Sequence, residues 1–180
     1  MAINLEDQLV FYRSYHFNTI NVLIHSVFVP TIMFSSFGYA TNVRIPIPIP
    51  HLAKYLNLGV LGSLGYSLFY LYLDFIGGAL ATPILMISSI YFTDLTLYSP
   101  EVNKLLIAAF VIGWLVQFIG HGVFEKRAPA LLDNLLQALV LAPFFILFEL
   151  FFLLGFRTDL KKRVDARVEV NIANFRAKKK

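Results

Sequence analysis

Five long apolar runs dominate this chain: residues 17–43, 55–73, 76–93, 105–120 and 135–156. A helix needs about 20 apolar residues to cross a ~30 Å hydrocarbon core. The first, second and fifth runs are that long, and the third is short. The fourth is also short, and reaches spanning length only if its helix continues past His121 through residues 120–124. Chain composition gives these runs no soluble alternative. Hydrophobic residues make up 58% of the 180 and charged residues 14%, whereas soluble domains carry about 25% charged residues. The expected fold is all-α: a polytopic transmembrane bundle with four, or at most five, membrane segments, some of them broken at proline. Residues 2–16 read as a short amphipathic helix ahead of the first run. Residues 44–50, Arg-Ile-Pro-Ile-Pro-Ile-Pro, read as an extended connector, because proline fixes φ and offers no N–H.

Charge is unevenly placed. Residues 157–180 hold nine Lys/Arg against three acids, and the rest of the chain holds six against eight. The net charge of +4 and pI near 9.3 therefore describe a basic tail, not a nucleic-acid surface. The positive-inside rule puts that tail on the cytoplasmic side. It ends Arg176-Ala-Lys-Lys-Lys180, close to a dilysine retrieval signal for the endoplasmic reticulum. The same bases suit anionic headgroups of membrane lipids. Cysteine is absent, which excludes disulfides and thiolate metal sites. The N-terminus begins acidic and lacks the pattern of a cleaved signal peptide, so the apolar runs are expected to remain in the chain.

Polar residues inside apolar segments are costly and mark functional sites by default. They form clusters here. The first is Tyr12-Arg-Ser-Tyr-His16-Phe-Asn18-Thr-Ile-Asn21-Val-Leu-Ile-His25; the second is Gln117-Phe-Ile-Gly-His121-Gly-Val-Phe-Glu125-Lys126-Arg127. A third, Asn134 with Gln137 and then Glu149, lies on the last run. Asn21-x8-Pro30 and Asn134-x8-Pro143 also share one offset, a faint internal repeat. Asn, Gln and His do knit transmembrane helices together by hydrogen bonds. However, three of the chain's four histidines fall in the first two clusters beside a carboxylate. Two histidines and a carboxylate with open positions are the donor set of a mononuclear non-haem Fe(II) oxygenase.

Spacing limits how such a set can assemble. His121 and Glu125 would lie about 40° apart on a helix and can share a metal. His16 and His25 are separated by roughly 180° and about 13.5 Å on an unbroken helix. They serve one site only if the chain breaks near residues 17–19; otherwise each has a different partner. The expected ligands are His25, His121 and Glu125, with His16 as a fourth ligand or a base beside the metal. The chain contains no Gly-rich phosphate loop, no Ser-centred elbow and no His-Glu-x-x-His motif. The many-histidine boxes of di-iron desaturases are missing as well.

The stretches YRSYHFNTINVLIHSVFVPTIMF and WLVQFIGHGVFEKRAPALLDNLLQALVLAPFFILFEL resemble the signatures of a eukaryotic and bacterial membrane family whose characterised fungal members are 2-hydroxy fatty acid dioxygenases of the endoplasmic reticulum. The resemblance runs from about Leu5 to Phe156. It implies an Fe(II)-dependent step of fatty acid α-oxidation, in which a long-chain 2-hydroxy fatty acid and O2 give a fatty acid one carbon shorter. It also places the family's histidines implicated in metal binding on His16, His25 and His121. The expected organisation is then a single catalytic membrane domain over 1–156 and a basic cytoplasmic tail over 157–180. Lys126 and Arg127 are placed to attract the substrate carboxylate or, equally, to anchor the segment at the membrane interface, and Asn18, Asn21, Asn134 and Gln137 to orient ligands or bind the hydroxyl. A lipid-binding or transport protein without redox chemistry is the competing reading, and the sequence leaves the oligomeric state open.

Overall fold

The computed structural model describes residues 3–127 and 137–177, with backbone only at residues 50 and 51. Asn134 lies outside the described residues. The helices are α1 (Leu5–Tyr15), α2 (Thr19–Ala40), α3 (Pro50–Ala53), α4 (Leu58–Leu73), α5 (Phe75–Tyr98), α6 (Val102–Ile119), α7 (Ala142–Leu153) and α8 (Thr158–Ala177). A π-helical turn, Gly120–Glu125, prolongs α6, and another, Gln137–Leu141, leads into α7. The chain is an integral membrane protein. Thr19–Ala40, Phe75–Tyr98 and Val102–Glu125 are long and apolar enough to cross a membrane, and a fourth crossing is added if α7 and α8, bent by 113°, count as one broken span.

The second and third runs exchange their expected lengths, and capping explains why. Asn57 starts α4 late, its side chain accepting from Val60 N at 2.9 Å. Asp74 ends it early by starting α5, accepting from Gly77 N at 2.7 Å. That leaves 16 residues, about 24 Å of helix. By contrast α5 runs through Pro83 and on past the polar residues at its end, reaching 24 residues. The hydroxyls of Thr93 and Thr96 donate to the carbonyls of Ser89 and Phe92 at 2.8 and 2.9 Å, so these residues stay helical in an apolar medium. Pro30 likewise sits inside continuous α2, and Pro143 stands at the start of α7. Transmembrane helices tolerate such prolines when local groups take up the freed carbonyl. The fourth run does continue through His121, as spanning length requires.

Two compact units emerge, one drawn from Met1–Ser26 and Gln117–Lys180, the other from Val27–Val116. In the second unit, α4 and α5 form a tight antiparallel hairpin with small and hydroxyl residues buried along it: Ser63 and Ser67 on one side, Gly77, Gly78, Ala81, Ser89 and Thr93 on the other. A Cβ at Gly78 would run into the backbone of Tyr70 and Leu71. Small residues let backbones approach where lipid offers no hydrophobic driving force. Hydrogen bonds close one end of this unit, between Thr41 and Thr96 (2.8 Å), Asn57 and Thr93 (3.0 Å), and Asn42 and Asn103 (2.7 Å). Residues 45–47 lie outside any helix or strand, and Arg44 forms an isolated bridge with Asn57.

The first unit packs α1, α7 and α8. Leu9, Phe144, Phe145, Phe148 and Val164 are fully or almost fully buried. The basic stretch expected as a tail is helical here, and α8 docks along α1. Ion pairs join the two helices: Arg163 with Glu6, Arg167 with Glu6 and Asp7, and Arg13 with Asp165, while Arg13 also pairs with Glu149 of α7. The acidic start of the chain thus finds its partners in the basic end.

Candidate metal centre

The site is built where α1 stops and α2 begins. Asn18 determines where α2 starts: its side chain accepts from Ile20 N at 2.9 Å, and its carbonyl accepts from Val22 N at 2.9 Å. Asn residues favour this capping role because a short side chain reaches the free N–H groups of the first turn. Residues 16–18 are therefore a break between two helices, one of the two outcomes that the His16–His25 spacing allows. It turns His16 back over α2, where His25 sits about two turns in. The π-helical turn brings in His121.

The three rings meet. Centroids lie 4.4 Å apart for His16–His25, 4.9 Å for His16–His121 and 4.8 Å for His25–His121. One nitrogen from each falls within 4.8 Å of the others. All three are buried, with exposures of 8%, 3% and 4%. His16 Nδ1 contacts the Tyr12 carbonyl at 2.7 Å, and His25 Nδ1 contacts the Asn21 carbonyl at 2.9 Å. A carbonyl only accepts, so each Nδ1 carries the proton and each Nε2 keeps a lone pair. Anchoring one ring nitrogen in this way is how ligating histidines are oriented. His121 Nδ1 is buried without a hydrogen-bond partner among the described residues. Burial, with the His25 and His121 imidazoles alongside, holds the His16 ring well below the usual histidine range, so it is neutral at physiological pH. Three converging imidazoles, two with Nδ1 anchored on a carbonyl and one with an orphaned nitrogen, suit a divalent transition metal.

The other sequence-derived residues have definite places. Glu125 is buried next to the cluster but outside the group of converging donor atoms. Its Oε1 is already engaged, accepting from Phe17 N and Asn18 N at 2.9 Å each and from Asn21 Nδ2 at 3.2 Å. Its Oε2 has no partner among the described residues, and neither does Asn21 Oδ1. Arg127 donates to the Ser14 carbonyl at 3.1 Å, with its guanidinium between the rings of Tyr15 (3.4 Å) and Phe175 (4.5 Å). Lys126 is exposed, with a left-handed backbone at φ 51°. Gln137 donates to the Gln8 carbonyl and side chain at 3.0 and 3.1 Å, tying the second π-helical turn to α1. Glu149 pairs with Arg13 at 2.9 Å.

Sequence reasoning missed Tyr12 and Gly120. Tyr12 is 3% exposed and stacks on His16 at 4.2 Å and 24°, backed by Phe145. Its i, i+4 spacing to His16 was the available signal. Gly120 lies against the Asn21 side chain, where a Cβ would collide with Oδ1. Only a residue without a side chain lets the π-helical turn approach α2 this closely.

Comparison with known proteins identifies the family. The family model described as 2-hydroxy-palmitic acid dioxygenase Mpo1-like matches residues 2–154. The chain belongs to the Mpo1-like family. It is a dioxygenase. A curated family relative, 2-hydroxy-palmitic acid dioxygenase MPO1 of Saccharomyces cerevisiae, is 45% identical over 174 residues, covering 97% of this chain and 95% of its own. No solved structure matches. The Mpo1-like match takes in α1 to α7, and with them all three histidines and Glu125.

Proposed function

We propose that this protein is an Fe(II)-dependent dioxygenase that converts a long-chain 2-hydroxy fatty acid and O2 to a fatty acid one carbon shorter, as in α-oxidation. The observation that carries the reading is the convergence of His16, His25 and His121, which offers three nitrogen donors and leaves other coordination positions open. Bound there, iron would supply a Lewis acid able to chelate the carboxylate and 2-hydroxyl of the substrate and to bind O2.

The chain's own residues perform the remaining tasks. The Tyr12 and Asn21 carbonyls hold His16 and His25 in one tautomer and orientation. Tyr12 and Phe145 cover the His16 ring and keep water from that side. The positive charges of Lys126 and Arg127 attract the substrate carboxylate toward the end of α6. Depth in the membrane supports an amphiphilic substrate. His25 is six residues into α2, about 9 Å from its start at 1.5 Å per residue, and His121 lies in the turn that ends the α6 span. The cluster therefore sits near one membrane face, where the head of a fatty acid lies while its chain enters the hydrocarbon. The basic residues of 157–180 belong on the cytoplasmic side of the endoplasmic reticulum membrane.

The test is iron content and O2 uptake of detergent-purified protein given 2-hydroxy C16 acid. About one iron per chain, O2 consumption and a C15 acid, all lost in His121→Ala, is the expected result. Metal-free protein that binds the acid without consuming O2 would replace this reading with lipid binding or transport.

A further inference from the structure

We propose that Glu125 is the positioning residue of the three-histidine site, the group that sets the histidines' mutual geometry without itself ligating the metal; this rests on the metal reading above. His16 and His25 belong to different helices, so only the conformation of residues 16–18 fixes one ring against the other. Such a break near the membrane exposes peptide N–H groups, and an unpaired one in an apolar setting costs several kcal/mol. Glu125 Oε1 accepts two of them, from Phe17 and Asn18.

The same oxygen accepts from Asn21 Nδ2, and the Asn21 carbonyl holds His25 Nδ1. Glu125 itself is four residues beyond His121 in the same π-helical turn. One carboxylate oxygen thus ties the break that carries His16, the helix that carries His25 and the turn that carries His121. The position is also electrostatically favoured, because the start of α2 presents the positive end of its dipole. The donor atoms that converge are those of the histidines alone among the described residues, and neither carboxylate oxygen of Glu125 joins them.

The experiment compares Glu125→Ala, Glu125→Gln and Glu125→Asp with the full-length wild type in detergent. Readouts are Co(II) affinity, Co(II) d–d absorption, and hydrogen exchange of the Phe17 and Asn18 amides in metal-free protein. Glutamine keeps an oxygen at the same reach, whereas aspartate is one methylene short. Expected results are a 10–100-fold loss of Co(II) affinity with altered bands in Ala and Asp, faster exchange at residues 17 and 18 in both, and restoration of affinity, bands and protection by Gln.

Unchanged affinity and exchange in Glu125→Ala would overturn the proposal. So would a Gln variant whose bands shift as far as those of Ala, because Glu125 would then be a ligand. A wild type that binds no Co(II) would remove the metal reading alone. The amide exchange would still decide whether Glu125 holds the break.

Discussion

Both units bury polar side chains in apolar surroundings, and they treat them differently. In the α4–α5 hairpin and its neighbours, the hydroxyls of Thr41, Ser67, Thr93 and Thr96 and the amide of Asn57 are spent on helix carbonyls or on one another. Among the described residues only Ser63 Oγ there is buried without a partner. Around His16, His25 and His121, unpartnered buried atoms gather instead: Tyr12 OH, Asn21 Oδ1, His121 Nδ1 and Glu125 Oε2. Satisfied polar groups hold helices together. Unsatisfied ones are kept at a cost and wait for something to bind.

Four measurements sharpen or break that contrast. The largest effect belongs to the histidines. His25→Ala or His121→Ala should lower O2 consumption by more than about 100-fold, the upper range for loss of groups that merely support a metal. Thermal stability in detergent should stay near wild type or rise, because the substitution removes a buried polar group. Activity surviving within tenfold would sink the distinction between the two regions. Gly78→Ala should do the opposite. Its Cβ meets backbone that cannot move aside, so stability should fall by about 1–3 kcal/mol, while Co(II) affinity of the folded fraction stays unchanged.

Asn57→Ala removes the cap of α4 and the bond to Thr93, and a loss of about 1 kcal/mol is expected. A matching loss of metal affinity would show that the two regions are not separable. The smallest effect concerns the α1–α8 contact. Arg163 and Arg167 hold the Glu6 carboxyl below its ordinary value. A lowered carboxylate contributes stability that is present above the ordinary range and fades as pH falls through the folded value. Proteolysis within α8 should therefore quicken below about pH 4, with no change between pH 6 and 8. Acceleration over the neutral range would mean that other groups hold the helix.

Much was legible before any coordinates. An all-α membrane fold follows from the apolar runs, because lipid forces every backbone group to be paired within its own helix. The break near residues 17–19 was one of the two outcomes that the spacing of His16 and His25 on one helix left open. The continuation of α6 through His121 followed from the minimum length of a span. Span lengths in the middle of the chain were not legible, because they depend on which of Asn57, Asp74 and Pro83 starts or stops a helix. Local caps outweighed the hydropathy of the flanking residues. The basic end read as a tail, since each charge is soluble by itself; its docking became visible only once Glu6, Asp7 and Arg13 of α1 were in reach.

The sequence alone determined that the protein lives in a membrane and that its histidines and Glu125 sit where polar groups need a reason. Composition and spacing are local properties, readable one segment at a time. Only the tertiary structure decided which of those residues face a common point and which hold others in place. That choice depends on the direction of side chains brought together from positions more than a hundred residues apart, as Glu125 is from Phe17 and Asn18. No single segment carries that direction.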